Sequence, residues 1–368
     1  MAHSYYSQKE IDQAVAAYEQ AITEGAKDTL AGERIAPGMK SAIWRAAEIL
    51  NLNPQLVRAR LIASGIKSKM FPPEFEILPL PSSDRPLDEL IAAKEANFER
   101  QRVAREARTL IPVRVAIEGA YGILHMGDPH VDDDGCDWKN LQHHIDLANR
   151  TDGLFAANVG DYSNNWIGRL ARLHANQSTT ASDAVRLVEW LIKSTPWLYL
   201  VGGNHDAWSG ANDPVRWFTS QAGAQYEMHG MRLGLRSPDG SEIRINARHD
   251  FKGSSMWNGA HGMSKAAKFA WQRDHIYVCG HRHSAAYQML VFQNGAHLAH
   301  GIRVGSYKHF DDYADAGDFL PENIPAAVTV INPSPRTEAG RVTTFWDADE
   351  GANYLRFLRR PKVRVKAA

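Results

Sequence analysis

From Ile111 onward the chain alternates short apolar runs with amphipathic stretches, and this pattern narrows its fold more than any other feature. The runs PVRVAI, GILHMG, LFAANVG, WLYLVGG, EIRINA and HIYVCG have the length and composition of strands. Between them, WKNLQHHIDLAN, SDAVRLVEWLIK and MSKAAKFAWQRD carry helical periodicity. Strands interleaved with helices predict a layered α/β domain, and such a sheet places its chemistry just beyond the carboxyl ends of its strands. Further on, AAVTVINP and RVTTFWDA turn to β structure.

The region before this has a different texture. To about residue 70 it reads as helix. Ser7 and Glu10 form a capping box, Ile11, Ala14, Val15, Tyr18 and Ile22 share a face, and Gly25 ends the pattern. SAIWRAAEILNL follows, and then PQLVRARLIASG, which Asn53 caps and Pro54 opens. Two short helices on a tight turn make a helix-turn-helix pattern. Five prolines in FPPEFEILPLPSSDRP predict an extended linker, which leads into a charged helix over Leu87–Arg108. The expected organisation is a small all-α domain at 1–70, a linker and helix at 71–110, and an α/β domain at 111–368.

Net charge excludes one class of behaviour. The 42 basic and 42 acidic residues cancel, so the whole molecule is no electrostatic nucleic-acid binder, and such a role needs local patches. One patch runs from Lys40 to Lys69, with Lys40, Arg45, Arg58, Arg60, Lys67 and Lys69 against Glu48 alone. Arg58 and Arg60 lie on the second helix of the pair and are the candidate DNA contacts. The tail RFLRRPKVRVKAA is a second basic patch. Cys136 and Cys279 are too few for a disulfide framework, the start lacks a signal-like apolar run, and no stretch has the ~18 apolar residues of a membrane span. A cytoplasmic location is expected.

Residues with metal-binding side chains follow five of the strand-like runs. They are Asp128 and His130; Asp161, with Asn164 three residues on; Asn204, His205 and Asp206; His249 and Asp250; and His281 and His283. A mixed oxygen and nitrogen set without thiolate suits hard or borderline divalent ions such as Mn, Fe, Zn or Ni. Two weaker features lie nearby. The loop VDDDGCD (131–137) reads as a solvated turn whose carboxylates cap the next helix. In KGSSMWNGAHG (252–262), Lys252, Ser254, Ser255 and His261 are either phosphate contacts or plain loop.

In order, GDPH (127–130), GDYSN (160–164), GNHD (203–206), His249 and GHRH (280–283) resemble the calcineurin-like metallophosphoesterase family over about Val113–Lys308. The resemblance implies a four-layer sandwich, two β-sheets flanked by helices, with two divalent metal ions at one end. It assigns Asp128, His130 and His283 to one ion and Asn204, His249 and His281 to the other, with Asp161 bridging. His205 then contacts the phosphate and protonates the leaving oxygen. Where many relatives place a carboxylate or histidine to pair with that histidine, this chain has Asn164, which orients the ring without stabilising its charge.

With the helical module, the pairing resembles a phage or prophage type of phosphoesterase. The expected activity is metal-dependent, manganese-supported hydrolysis of a phosphate ester, with a DNA phosphodiester as substrate. The alternatives are a phosphomonoesterase or small-nucleotide phosphodiesterase, and a DNA-binding regulator with a vestigial metal site.

Overall fold

The computed structural model describes residues 6–66, 83–269, 273–310 and 324–360. Lys67, Lys69, the proline-rich stretch over 67–82 and the basic residues Lys362, Arg364 and Lys366 lie outside these. The chain divides into two compact units, Met1–Leu87 and Asp88–Ala368.

The first unit packs three helices, α1 (Gln8–Thr23), α2 (Ala42–Leu50) and α3 (Pro54–Ala63). The capping box at Ser7 and Glu10 forms as the sequence predicts, with the Glu10 carboxylate accepting the Ser7 N–H at 2.9 Å. Asn53 caps α3 by accepting the Gln55 N–H at 2.8 Å. Ala14, Ala17, Tyr18, Ala21, Ala46, Val57 and Leu61 close a small core.

The second unit begins with α4 (Leu87–Ala107), whose lack of any buried residue follows from its charged, weakly amphipathic sequence. Two six-stranded sheets follow. Their strands β1–β12 are Ile111–Arg114, Tyr121–Met126, Leu154–Asn158, Trp197–Gly202, Tyr226–Met228, Gly230–Arg236, Glu242–Arg248, Ile276–Cys279, Ala286–Phe292, His297–Arg303, Ala326–Ile331 and Val342–Phe345. One sheet runs β12-β11-β2-β3-β4-β5 and the other β1-β6-β7-β8-β10-β9. Both are mixed: β2, β3, β4 and β5 are mutually parallel, as are β7, β8 and β10, with antiparallel strands at β11–β12, β6 and β9.

Ile123, Ala157, Tyr199 and Val201 from one sheet meet Leu233, Ile245, Val278 and Ile302 from the other in a shared core. On the first sheet's outer face lie α5 (Trp138–Arg150), α6 (Ala181–Lys193), α8 (Pro214–Ala222) and α10 (Ala348–Arg359). On the second sheet's outer face Ala260 and α9 (His261–Phe269) cover Tyr277, Cys279 and Ala299. The result is the expected four-layer arrangement of helix, sheet, sheet and helix. Central strand β2 is buried along its whole length, which is why YGILHM reads as a continuous rather than an alternating run.

Candidate functional site

The carboxyl ends of five strands deliver the site. Asp128 and His130 follow β2, Asp161 follows β3, and Asn204 and His205 open the short helix α7 (Asn204–Ala207) after β4. These three strands are neighbours in one sheet. In the other sheet, neighbours β7 and β8 are followed by His249 and by His281 and His283. All eight side chains converge. His249 Nε2 lies 2.9 Å from Asn204 Oδ1, 3.1 Å from His281 Nδ1 and 3.2 Å from Asp161 Oδ2. His130 Nε2 and His205 Nε2 are each 4.0 Å from Asp161 Oδ2, and His283 Nε2 is 3.4 Å from Asp128 Oδ2.

The loops reach this arrangement at a conformational cost. Asp128, His130, Asp161, His281 and His283 all have positive φ, from 24° to 70°. A non-glycine residue there costs of order 1–3 kcal/mol and persists only where its surroundings over-determine it. Two motif glycines are required by proximity instead. A Cβ on Gly203 would lie 2.0 Å from Asp161 Oδ1, and one on Gly280 would lie 2.5 Å from Asp128 Oδ1.

Electrostatics set the members of the cluster apart. Burial pushes the Asp128 carboxyl well above its ordinary range, and the Asp161 charge adds to this against the opposing pull of His249. Burial also opposes ionisation of Asp161, but His249, His205 and His130 outweigh it and hold that carboxyl below the usual range. His249 is raised to about 10 against its own burial, by Asp161 and Asp128. His130 is held well below its ordinary value by burial, then by His205 and Lys308.

The donor set fits divalent cations on two observations. Asp128 Oδ1 and both ring nitrogens of His130 are buried without a hydrogen-bond partner among the described residues. Moreover, His249 Nδ1–H donates to the Val159 carbonyl at 2.9 Å, which turns Nε2 toward Asn204 Oδ1, Asp161 Oδ2 and His281 Nδ1. A backbone carbonyl fixing the far nitrogen in this way is typical of a metal-binding histidine. The proton that Asp161 and Asp128 hold on His249 lies among these acceptors, and a divalent cation would take its place there.

His205 Nδ1–H donates to the backbone carbonyl of Asn164. This corrects the expectation that the Asn164 side chain orients the ring. That side chain is engaged elsewhere, its Nδ2 donating to Asp133 Oδ2 at 2.5 Å. The ring of His205 is framed by His130 at 5.0 Å, Trp166 at 5.2 Å and Trp208 at 4.2 Å between centroids. Asp206 braces the loops: it accepts the N–H groups of Asp161 at 2.9 Å and Gly203 at 2.7 Å, and burial and the Asp161 charge raise it to about 8.

The loop 131–137 also departs from its sequence reading. Asp137 does cap α5, accepting the Asn140 N–H at 3.0 Å, and Asp134 is exposed. Asp132 and Asp133 are buried, at 1% and 7% exposure, because they take up the Asn164 N–H and side-chain amide. Neither this inward turn nor the aromatic frame had a sequence signal, since an acidic run and scattered tryptophans are equally compatible with a surface. In the 252–262 segment, Ser255 Oγ accepts the Trp257 N–H at 3.2 Å and His261 opens α9, so both have local structural roles.

Outside this cluster, His275, His297 and Glu338 also lie close together. There His275 Nδ1 accepts the Arg244 N–H at 3.1 Å, His297 Nε2 donates to the Asp274 carbonyl at 3.3 Å, and Glu338 pairs with Arg341 at 2.7 Å. Each member thus has a local partner, and Arg244 and Arg341 lie beside the group.

The candidate DNA contacts separate. Arg58 is exposed, whereas Arg60 is 9% exposed and its guanidinium pairs with Glu10 at 2.5 Å. Arg60 therefore joins α3 to α1 and is not presented to a phosphate. In the C-terminal patch, Arg359 pairs with Asp152 at 2.6 Å and Arg356 donates to Thr151 at 2.7 Å, so both are tied to the domain.

No protein-family model and no curated protein sequence matches this chain. Among solved structures it is similar to the calcineurin-like phosphoesterase YfkN from Bacillus subtilis, at 9% identity over 66% of this chain and 100% of that one, with a TM-score of 0.33. It is also similar to the Pseudomonas putida nuclease MPE, at 14% identity over 61% of this chain and 87% of that one, with a TM-score of 0.29. A third is a putative 5'-nucleotidase from Staphylococcus aureus, at 9% identity and a TM-score of 0.33, covering 65% of this chain but only 58% of that one. At these values the likeness is distant, and the functional reading comes from the side chains themselves.

Proposed function

We propose that the cluster holds two divalent cations and hydrolyses a phosphate ester, with a DNA phosphodiester as the first candidate substrate. The observation that carries this is the double membership of Asp161. It belongs to the group His130, Asp161 and His205 and to the group Asp161, His249 and His281, and within each group the donor atoms lie within 4.8 Å of one another. A carboxylate shared by both groups supports a two-ion reading. Asp128, His130 and His283 complete the first ligand set, and Asn204, His249 and His281 the second. Bound there, the ions would neutralise phosphate oxygens and lower the pKa of a water molecule. Manganese is the proposed activator, and iron, zinc or nickel also suit the donors.

The protein's own groups supply the rest. His205 keeps Nε2 turned toward the cluster by donating Nδ1–H to the Asn164 carbonyl, and from there it delivers a proton to the leaving oxygen. Trp166, at 7% exposure, and Trp208 flank the ring and exclude water from its faces.

The test is metal-stripped protein reloaded with manganese, assayed for metal content and for hydrolysis of bis-p-nitrophenyl phosphate. Content approaching two ions per chain, with hydrolysis that depends on them, is expected. A ratio near zero under saturating metal would sink the reading.

A second substrate class, small nucleotides or phosphomonoesters, is favoured by one observation. In the described part of the basic patch Lys40 and Arg45 pair with Glu48, and Arg60 pairs with Glu10, which leaves less free positive charge than the sequence suggests. Relative rates on plasmid DNA, single-stranded DNA and p-nitrophenyl phosphate distinguish the two classes.

A further inference from the structure

We propose that Lys308, acting with Asp133, is a positioning residue that fixes the ring of His205; this deepens the phosphoesterase reading and rests on it. Lys308 is 4% exposed and Asp133 7%, and their charges meet at 2.9 Å. An ion pair buried this deeply gains little stability over an apolar pair of the same shape, so its use here points to a specifying role.

The contacts of Lys308 show what is specified. Its Nζ donates to Asn164 Oδ1 at 3.3 Å, while Asn164 Nδ2 donates to Asp133 Oδ2 at 2.5 Å. The amide is thus held from both ends, with oxygen toward the cation and nitrogen toward the carboxylate, the one orientation that satisfies both. The Asn164 N–H is held as well, by Asp132 Oδ1 at 2.7 Å. A residue fixed by side chain and N–H has little freedom left for its carbonyl, and that carbonyl accepts the proton of His205 Nδ1.

Lys308 also reaches the second flank of the ring. Its Nζ lies 5.2 Å from the centroid of Trp166, a cation–π distance, and Trp166 meets His205 edge-on at 5.2 Å. One ammonium therefore supports two of the groups that hold His205.

The backbone is built to keep it there. Lys308 pairs with Cys136 in an antiparallel bridge, and its N–H donates at 2.9 Å to Ser306 Oγ, which itself donates to the Asp128 carbonyl at 2.7 Å. Lys308 is thereby tied to the first ligand loop as well as to the Asn164 loop.

Three readouts test the proposal on the full chain, using Lys308→Met and, as a second variant that keeps the carboxyl's shape, Asp133→Asn. Misplacing a general acid matters most when the leaving group is poor. Both variants should hydrolyse p-nitrophenyl diesters at rates within about threefold of wild type, and alkyl or unsubstituted phenyl diesters about 10–100-fold more slowly, part of the ~10²–10⁴ a general acid contributes. Metal content should be unchanged. In a His205→Ala background, Lys308→Met should add less than about twofold, because the group it positions is already gone.

The third readout needs no turnover. In metal-free protein labelled with 15N-histidine, the His205 ring, assigned by its loss in His205→Gln, should carry its proton on Nδ1 in wild type and become a tautomer mixture in the variants. Equal losses on good and poor leaving groups, or a full Lys308→Met effect on top of His205→Ala, would overturn the positioning role. So would an unaltered tautomer in both variants. If wild-type protein with bound manganese hydrolyses no ester, the phosphoesterase reading fails, and the tautomer measurement still decides whether Lys308 orders the ring.

Discussion

His125 makes the stability of the second unit fall with acid in a way that one substitution isolates. It lies next to the carboxyl end of β2 with no exposed surface, its Nδ1 2.7 Å from the Tyr199 hydroxyl and its Nε2 2.8 Å from Thr329 Oγ1. Burial alone lowers it to about 3 from an ordinary value of 6.5. The folded state thus refuses a proton that the unfolded chain accepts below about pH 6.5. Stability from the neutral ring is fully present above pH 6.5 and is lost as pH falls from there toward 3. Below 3 both states are protonated and nothing further is lost. Between pH 7 and pH 4 the linkage integrates to about 3 kcal/mol.

His125→Gln removes the titration and leaves one of the two hydroxyls unpaired, at about 1–3 kcal/mol. Urea unfolding should therefore find the variant less stable than wild type at pH 7, with the gap closing or reversing by pH 4. Tryptophan fluorescence is a suitable signal, since Trp44 is the one tryptophan before residue 88. Other buried histidines, such as His144 and His300, titrate in both proteins and cancel in the difference. A stability difference that stays constant from pH 7 to pH 4 would refute the argument.

Asp161→Ala should abolish hydrolysis and lower metal content for both ions, read by elemental analysis after reloading. His205→Ala should keep its metal while turnover of a diester with a poor, alkyl leaving group falls by ~10²–10⁴-fold, and metal loss equal to that of Asp161→Ala would make His205 a ligand instead of an acid. Gly203→Ala drives a Cβ to 2.0 Å from Asp161 Oδ1, so it should cost about 1–3 kcal/mol in thermal unfolding and reduce metal content, with a smaller change expected for alanine at Gly340, where a Cβ would meet only the Pro335 side chain at 3.7 Å. For the first unit, Arg60→Ala should lower the unfolding temperature of a fragment covering residues 1–87 while Arg58→Ala leaves it unchanged. If the module contacts DNA, Arg58→Ala in the full chain should flatten the salt dependence of a gel-shift titration, and equal slopes in both proteins would retire that contact.

The fold class was legible because it depends on periodicity. The runs that became β2, β3, β4 and β8 are apolar over nearly their whole length, the signature of strands covered on both faces, while β7 alternates Ile243, Ile245 and Ala247 inward with polar residues. Four strands escaped notice: the interior strands β6 and β10, whose sequences are broken by Arg232 and Arg236 and by His297, His300 and Arg303, and the edge strands β5 and β9. β9 alternates half-buried and exposed residues with Tyr287, Met289 and Val291 outward, and β5 is three residues long with no buried member. An edge strand needs no continuous apolar run, so it has no such signature. The ligand candidates were legible for a related reason: each stands immediately after a readable strand, where the sheet's geometry gives it only one edge to occupy.

What stayed hidden was every relation that depends on burial of charge. Arg58 and Arg60 are indistinguishable as letters two positions apart on one helix, yet a two-residue step turns a side chain about 200° around the axis. Arg58 consequently faces solvent, while Arg60 faces α1 and finds Glu10. Asp133 and Asp134 are adjacent and identical, but one meets Lys308 inside the protein and the other meets Ser178 at its surface. Lys308 lies 175 residues from its carboxylate and 144 from the amide it holds, so only the closed sandwich brings the three together. The proposed general acid, His205, can thus be found from its motif, whereas the groups around its ring are set by tertiary contacts that no local pattern encodes.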